Sequence, residues 1–249
     1  MQINLAPLVL NTIDVMIVGT TPLIVHAWSQ KAKREMLAKQ MKIPVGAKEA
    51  KDPIEDFLNS LYRTDDGHFG IPAVGVKNAM VTACTSISGV TKVAARQAFR
   101  VIGERGTSTG AFCDIMSPTD LVRIGTPEPP RMREDSVRVG MGTADLRYRA
   151  EFFPWCMKIR VEHNRNVMSP EQIINLLNTA GFAVGLCEWR MEKDGQYGGF
   201  AVANAAEAKR CAGWLTGKQL EPRLPDVEAW RASLDEPQEK KPARKLRVA

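Results

Sequence analysis

The chain has 249 residues, 44% of them hydrophobic, enough for a sizeable core in one large domain or two small ones. Its 34 basic and 28 acidic residues leave a net charge of +6, too modest to name a polyanion partner alone, so where the charge sits matters more. Cys84, Cys113, Cys156, Cys187 and Cys211 are scattered, with no C-x-x-C pair, and the histidines are His26, His68 and His163. This argues against a zinc ribbon and a secreted disulfide scaffold, so a reducing cytoplasm with no cofactor or metal is expected.

The opening Met-Gln-Ile-Asn-Leu carries no basic leader with an apolar stretch, so no signal peptide is expected. No apolar run approaches the ~20 residues that span a bilayer, so no membrane partner is expected. Alternation of Ile13, Val15 and Ile17 predicts a strand over 13–18, broken by Gly19-Thr20-Thr21-Pro22 and resumed at 23–25. Ser29 offers an N-cap for a helix over 30–41, which carries Lys31, Lys33, Arg34 and Lys39. Asp52, Pro53 and Glu55 mark a second helix start, with Phe57, Leu58 and Leu61 as its apolar face.

After a turn at 67–70, Ile71-Pro72 introduces a helix with Val76, Ala79, Met80, Ala83 and Ile87 on one side. A further helix is predicted over 90–102. There Lys92, Arg96 and Arg100 recur every fourth residue as a stripe that is either a solvated surface or phosphate-facing. Residues 103–110 read as loop, and Pro127, Pro129 and Pro130 mark an irregular, protruding segment.

Short strands are predicted at 136–139 and 146–153 around a turn at 140–143. In them Arg138 alternates with Val137 and Val139, and Arg147 and Arg149 with Leu146, Tyr148, Ala150 and Phe152. The stretch 157–161 repeats the pattern, with Met157, Ile159 and Val161 opposite Lys158 and Arg160. Ser169-Pro170-Glu171-Gln172 is the best-marked helix start in the chain. Ile173, Ile174, Leu176, Leu177 and Ala180 form its buried face, and Gly181 is its expected stop. A weak helix over 205–216 and a short one over 226–234 precede a basic tail, 236–249, that reads as disordered.

Two constellations carry chemistry. Residues 185–200 combine Gly185, Gly195, Gly198 and Gly199 with Trp189, Tyr197, Arg190 and Lys193. Glycines let a backbone approach a ligand and turn its N–H groups to an anion, while arginines and aromatics offer faces for bases. Tyr197 is expected to be exposed and to stack; Trp28 and Trp189 read as core or platform residues. Within 123–165, the cations Arg123, Arg131, Arg133, Arg138, Arg147, Arg149, Lys158, Arg160 and Arg165 outnumber the acids. Arginine suits bidentate phosphate contact, and the alternative is a polar sheet face of arginine–carboxylate pairs. His163 reads as a polar loop residue rather than a general acid or base, and His26 as a hydrogen-bonded, semi-core residue. There is no P-loop, no G-x-S-x-G and no complete dinucleotide fingerprint, so no enzyme is expected.

Taken in order, these segments resemble the RAMP superfamily, the RRM-like proteins that form the guide-RNA-binding backbone of CRISPR effector complexes, and their small phage-encoded relatives. The resemblance rests on the opening strand with Gly19-Thr20-Thr21-Pro22-Leu23, and on Ile71-Pro72 with Val76, Lys77, Ala79 and Met80. It rests also on Glu188-Trp189-Arg190 with Gly195-Gln196-Tyr197-Gly198-Gly199-Phe200. It implies an α+β, ferredoxin-like antiparallel sheet with helices on one face. A single domain would span 1–235, with a thumb-like hairpin inserted around 103–150.

The function it implies is non-catalytic binding of single-stranded DNA or RNA, with self-association along the strand into a filament. Lys77, Lys92, Arg96, Arg100, Arg133, Arg138, Arg147, Arg149, Lys158, Arg160, Arg190, Lys193, Tyr197 and Gly198 are the expected contacts. The alternatives are a RAMP-type RNA endonuclease using His163 or His26, and an assembly protein whose arginines make subunit contacts.

Overall fold

The alternation of Ile13, Val15 and Ile17 produces β1 (Leu10–Gly19), with these side chains turned to the core. β2 (Leu23–Val25) follows the bend at 20–22. The structure, a computed structural model, describes residues 7–28, 30–44, 51–87, 89–107, 119–139, 142–218 and 220–226. α1 (Gln30–Gln40) precedes α2 (Pro53–Asn59), whose start is fixed by the Asp52 carboxylate accepting from the Ile54 and Glu55 amides at 2.9 and 3.1 Å. A hairpin of β3 (Tyr62–Thr64) and β4 (Phe69–Pro72) leads into α3 (Ala73–Ala83). Thr91 caps α4 (Lys92–Ala98), which runs straight into β5 (Phe99–Ile102).

β6 (Glu104–Thr107) and β7 (Thr119–Gly125) come next, then the long hairpin of β8 (Arg131–Val139) and β9 (Thr143–Phe152). β10 (Cys156–Asn164) returns to the core. The Ser169–Gln172 capping box then starts α5 (Pro170–Ala183). β11 (Phe200–Val202) and α6 (Ala205–Thr216), with its own Asn204–Glu207 capping box, complete the described fold.

The chain is an α+β fold with antiparallel strand pairing throughout its named sheets. β1 and β10 pair along their length, Val15 opposite Ile159 and Asp14 opposite Arg160. β11 flanks β1, and β5 flanks β10, giving the order β11–β1–β10–β5. That order and sense are compatible with a ferredoxin-like split β-α-β unit. α3 and α5 pack together beneath one face, burying Val76, Met80, Ile173 and Leu177 with the inward side chains of β1 and β10.

α6 lies across the opposite face, where Cys156 Sγ approaches the Cys211 carbonyl at 3.8 Å. β7 also pairs with β10, beyond β5, and with β4, β3 and β6 forms a closed ring of short strands. The β8–β9 hairpin builds a second sheet with β2. No helix among the described residues is long and apolar enough to cross a membrane.

Several expectations need correcting. The helix expected over 90–102 ends at Ala98, because Phe99 and Val101 alternate inward as a strand against His163 and Val161. Arg100 therefore leaves the helix that carries Lys92 and Arg96, and the three do not form one stripe. Residues 104–107, expected as loop, are β6; the hairpin strand β3 was not foreseen. Gly181 does not stop its helix, which continues to Ala183. A Cβ there would lie 1.9 Å from the Phe200 carbonyl oxygen, so glycine is needed for β11 to cross the helix closely. The basic tail and nearly all of the short helix expected over 226–234 lie outside the described residues.

Candidate nucleic-acid interface

The glycine-rich loop is shaped from within. Leu186 N–H donates to the Gly198 carbonyl, Gly198 N–H to Pro22, Tyr197 N–H to Trp189 and Glu188 N–H to Ile24, all at 2.8–3.1 Å. A Cβ on Gly198 would meet the Leu186 carbonyl oxygen at 1.9 Å, and one on Gly195 the Trp189 oxygen at 1.8 Å. These glycines let backbone approach backbone, and most of the loop's N–H groups are engaged inside the fold rather than turned to an anion.

From this loop a chain of charges enters the β8–β9 hairpin. The Arg133 guanidinium lies 4.6 Å from the Tyr197 ring centroid and donates to the Tyr197 hydroxyl at 3.2 Å. Tyr197 is thus half-buried with an arginine on its face, not the freely exposed platform that its glycine neighbours suggested. Arg133 also donates to Asp135 at 2.9 Å and Glu151 at 2.8 Å.

Asp135 in turn approaches Arg149 at 3.4 Å. Arg149 is 2% exposed, its Nε has no partner among the described residues, and its other contact is Glu188 at 3.7 Å. It is an internal charge rather than a surface one. Glu188 then faces His26 Nδ1 at 3.7 Å. The His26 imidazole and, behind it, Arg149 hold the Glu188 carboxyl below its ordinary range against the opposing effect of burial.

His26 and Glu188 stand where two hollows of 420 and 430 Å³ meet. The first hollow runs along the start of α3, past Pro72, Gly75 and Asn78, with Tyr62 on one side and Arg190 on the other. Lys77, half-buried on the same helix, has no acidic partner among the described residues. The second hollow is lined by Trp28, Lys51, Arg147, Tyr148, Asp56 and Asp145. Trp28 is 58% exposed. Asp145 is shared by Lys51 at 2.9 Å and Arg147 at 3.7 Å, and Arg190 pairs with Glu192 at 2.9 Å.

The remaining expected contacts lie elsewhere. Lys158, Arg160 and Arg100 project from the sheet face turned away from α3, beside a groove of 350 Å³ bounded by Ile102, Arg123 and Leu215. Asp14 takes Lys158 at 2.7 Å and Arg160 at 2.8 and 3.1 Å; Glu162 takes Arg100 at 2.5 Å. Arg160, then Lys158, hold the Asp14 carboxyl far below the usual carboxylate range. Lys92, Arg96, Arg138 and Lys193 are exposed, with no acidic partner among the described residues.

The structure therefore places Arg147 on one hollow and Arg190 on its neighbour, and does not bring Lys158, Arg160 and Arg100 to either. His163 is fully buried on the core side of β10, its Nδ1 2.9 Å from the Met168 carbonyl, and is not a loop residue. His26 is expected from the sequence only as a semi-core residue or an acid–base alternative, and Lys51, Tyr62, Asn78 and Glu188 have no expected place on a groove. All five come from separate segments with no common spacing.

No protein-family model and no curated protein matches the chain. Among solved structures it is similar to a chain of the Type III-B Cmr-beta cryo-EM structure bound to cognate target RNA, at 13% identity and a TM-score of 0.40. That match covers 78% of this chain and 59% of the other, so this chain spans less than two thirds of that relative. It is also similar to Cmr6 from Pyrococcus furiosus, at 12% identity and a TM-score of 0.37, covering 79% of this chain and all of the other.

Proposed function

We propose that the protein binds single-stranded nucleic acid without cleaving it, along the groove that passes Trp28, His26 and the start of α3, and that copies assemble side by side on the strand. The observation that carries this reading is that two hollows border on the same pair, His26 and Glu188, with an exposed indole in one and Arg190 in the other. Aromatic faces stack on any base, and cations beside them follow the backbone. Arg147 and Arg190 already hold carboxylates, so phosphate has to compete for them, and binding weakens steeply as salt rises. Side-by-side assembly follows from the family resemblance and is part of the same proposal.

The test is fluorescence anisotropy of labelled single-stranded RNA and DNA over a salt series, with sizing of the complexes by native mass spectrometry. Binding that falls with salt and complexes that grow with strand length are the expected results. No binding to either polymer at low salt overturns the reading.

A second reading is favoured by the His26–Glu188 contact, since a carboxylate beside an imidazole in a groove is an arrangement suited to general base catalysis. Labelled RNA cut by the wild type and left intact by His26→Ala would replace the non-catalytic reading. His163, buried in the core, has no access to a strand.

A further inference from the structure

We propose that the hollow beside Trp28 is a base pocket that selects guanine from the bound strand. This rests on the nucleic-acid reading above and adds sequence preference to it. Three observations converge on one ligand chemistry. The hollow measures 430 Å³, within the range of about 300–1,000 Å³ of small-ligand pockets. Trp28 lines it while 58% exposed, so a flat ring has an aromatic face to lie against.

The third observation is Glu188. Its two cationic neighbours, His26 and Arg149, both stand at 3.7 Å, close enough to keep the charge but beyond the distance of a well-formed hydrogen bond. Such a group presents two adjacent, ionised acceptors. Guanine is the nucleobase whose Watson–Crick edge offers two adjacent donors, N1–H and the N2 amine. Adenine and cytosine each set one amine beside an acceptor nitrogen, and uracil and thymine set one N–H between carbonyls.

The surroundings fit the same ligand. His26 lines the hollow beside Glu188, and a protonated or Nδ1–H imidazole there can donate to the guanine O6, which adjoins N1–H. Arg147 and Lys51 lie on the same hollow and share Asp145, so the phosphate of the inserted nucleotide competes with that carboxylate for them. Buried Arg149, with its Nε unpartnered among the described residues, stands behind Glu188 and opposes its protonation. The remaining acid on this hollow, Asp56, is 3.9 Å from Lys51.

The test uses the full chain and short single strands that differ at one central base. The wild type is expected to prefer guanine to adenine by about 5- to 150-fold, the discrimination of one good bidentate pair. Inosine, which lacks the N2 amine, is expected to fall between the two. Glu188→Gln, which exchanges one acceptor for a donor, is expected to remove the preference while retaining salt-dependent binding. Because that variant disturbs the partner of a buried arginine, the inosine comparison on unaltered protein stands independently of its folding.

Equal affinity for all bases overturns the guanine pocket and leaves the proposed function intact. Absence of binding to any strand overturns both. Tighter binding of an arginine-rich peptide than of any strand assigns the pocket to a protein partner and overturns it as well.

Discussion

The outer face of the core sheet and the Trp28 groove contain the same kinds of charged residue, drawn from different distances along the chain. On the outer face, alternation along β10 turns Lys158 and Arg160 to solvent, and the in-register neighbour on β1, Asp14, engages both. Glu162 does the same for Arg100 across the β10–β5 pair. Two carboxylates thus hold three cations before any ligand arrives. In the groove the charges come from the β8–β9 hairpin, the glycine-rich loop and the segment before α2. There Asp145 likewise serves Lys51 and Arg147, and Asp56 also reaches Lys51; what differs is that an indole is left open and that Glu188 has its two cationic neighbours no nearer than 3.7 Å. Alternation identifies which cations reach the surface; the cross-strand neighbour decides whether they are free to bind.

The largest effect is expected at the loop that shapes the groove. Gly198 has φ +71, and an added Cβ would lie 1.9 Å from the Leu186 carbonyl. Gly198→Ala is therefore expected to destabilise the protein by about 3 kcal/mol, combining overpacking with a left-handed backbone. Thermal unfolding checks it, and an unchanged midpoint would mean that the loop tolerates a wider path. Next in size is Arg149→Met. Removing the guanidinium leaves Asp135 with Arg133 alone and Glu188 with His26 alone, an expected loss of about 2 kcal/mol. Urea unfolding of this variant beside Arg160→Met separates the internal charge from the outer one; the outer variant is expected to lose far less.

What the sequence makes legible follows the same division. β1, β10 and α5 were readable because each buries one face against a continuous core, so period and capping residues agree with the tertiary fold. β5 was misread because Arg96 and Arg100 fit a helical spacing as well as a strand. The decision was made by Phe99 and Val101 finding β10, a partner about 60 residues away in the chain. Gly181 was misread as a stop for a related reason: its role is the close crossing of β11, which local sequence does not contain. The groove was the least legible part. Tyr197 reads as exposed between its glycines, but Arg133, 64 residues earlier, lies on its ring. His26 and Glu188 acquire meaning only where two chain segments meet.

Binding measurements distinguish the two faces directly. If the groove carries the strand, Arg147→Ala and Arg190→Ala each weaken binding several-fold and flatten the salt dependence, by about 0.7 in log–log slope for each phosphate left without its cation. Lys158→Ala and Arg160→Ala, whose cations are held by Asp14, leave affinity and slope near the wild-type values. The reverse ranking would move the interface to the outer face and to its 350 Å³ groove.

The smallest expected effect is a pH dependence on the outer face. Arg160 first, then Lys158, depress the folded-state pKa of Asp14 far below its ordinary value. A carboxyl whose pKa is lowered on folding contributes stability above its unfolded pKa, about 4, and loses it as pH falls toward the folded value. Asp14→Asn is therefore less stable than the wild type at neutral pH, by a small margin because the pair is largely solvated and screened. The gap is expected to persist down to about pH 4 and to close in stronger acid. Urea unfolding of both proteins across that range at low and high salt checks it. A gap that stays constant into strong acid would show that Asp14 acts through packing or hydrogen bonding that survives protonation rather than through its charge.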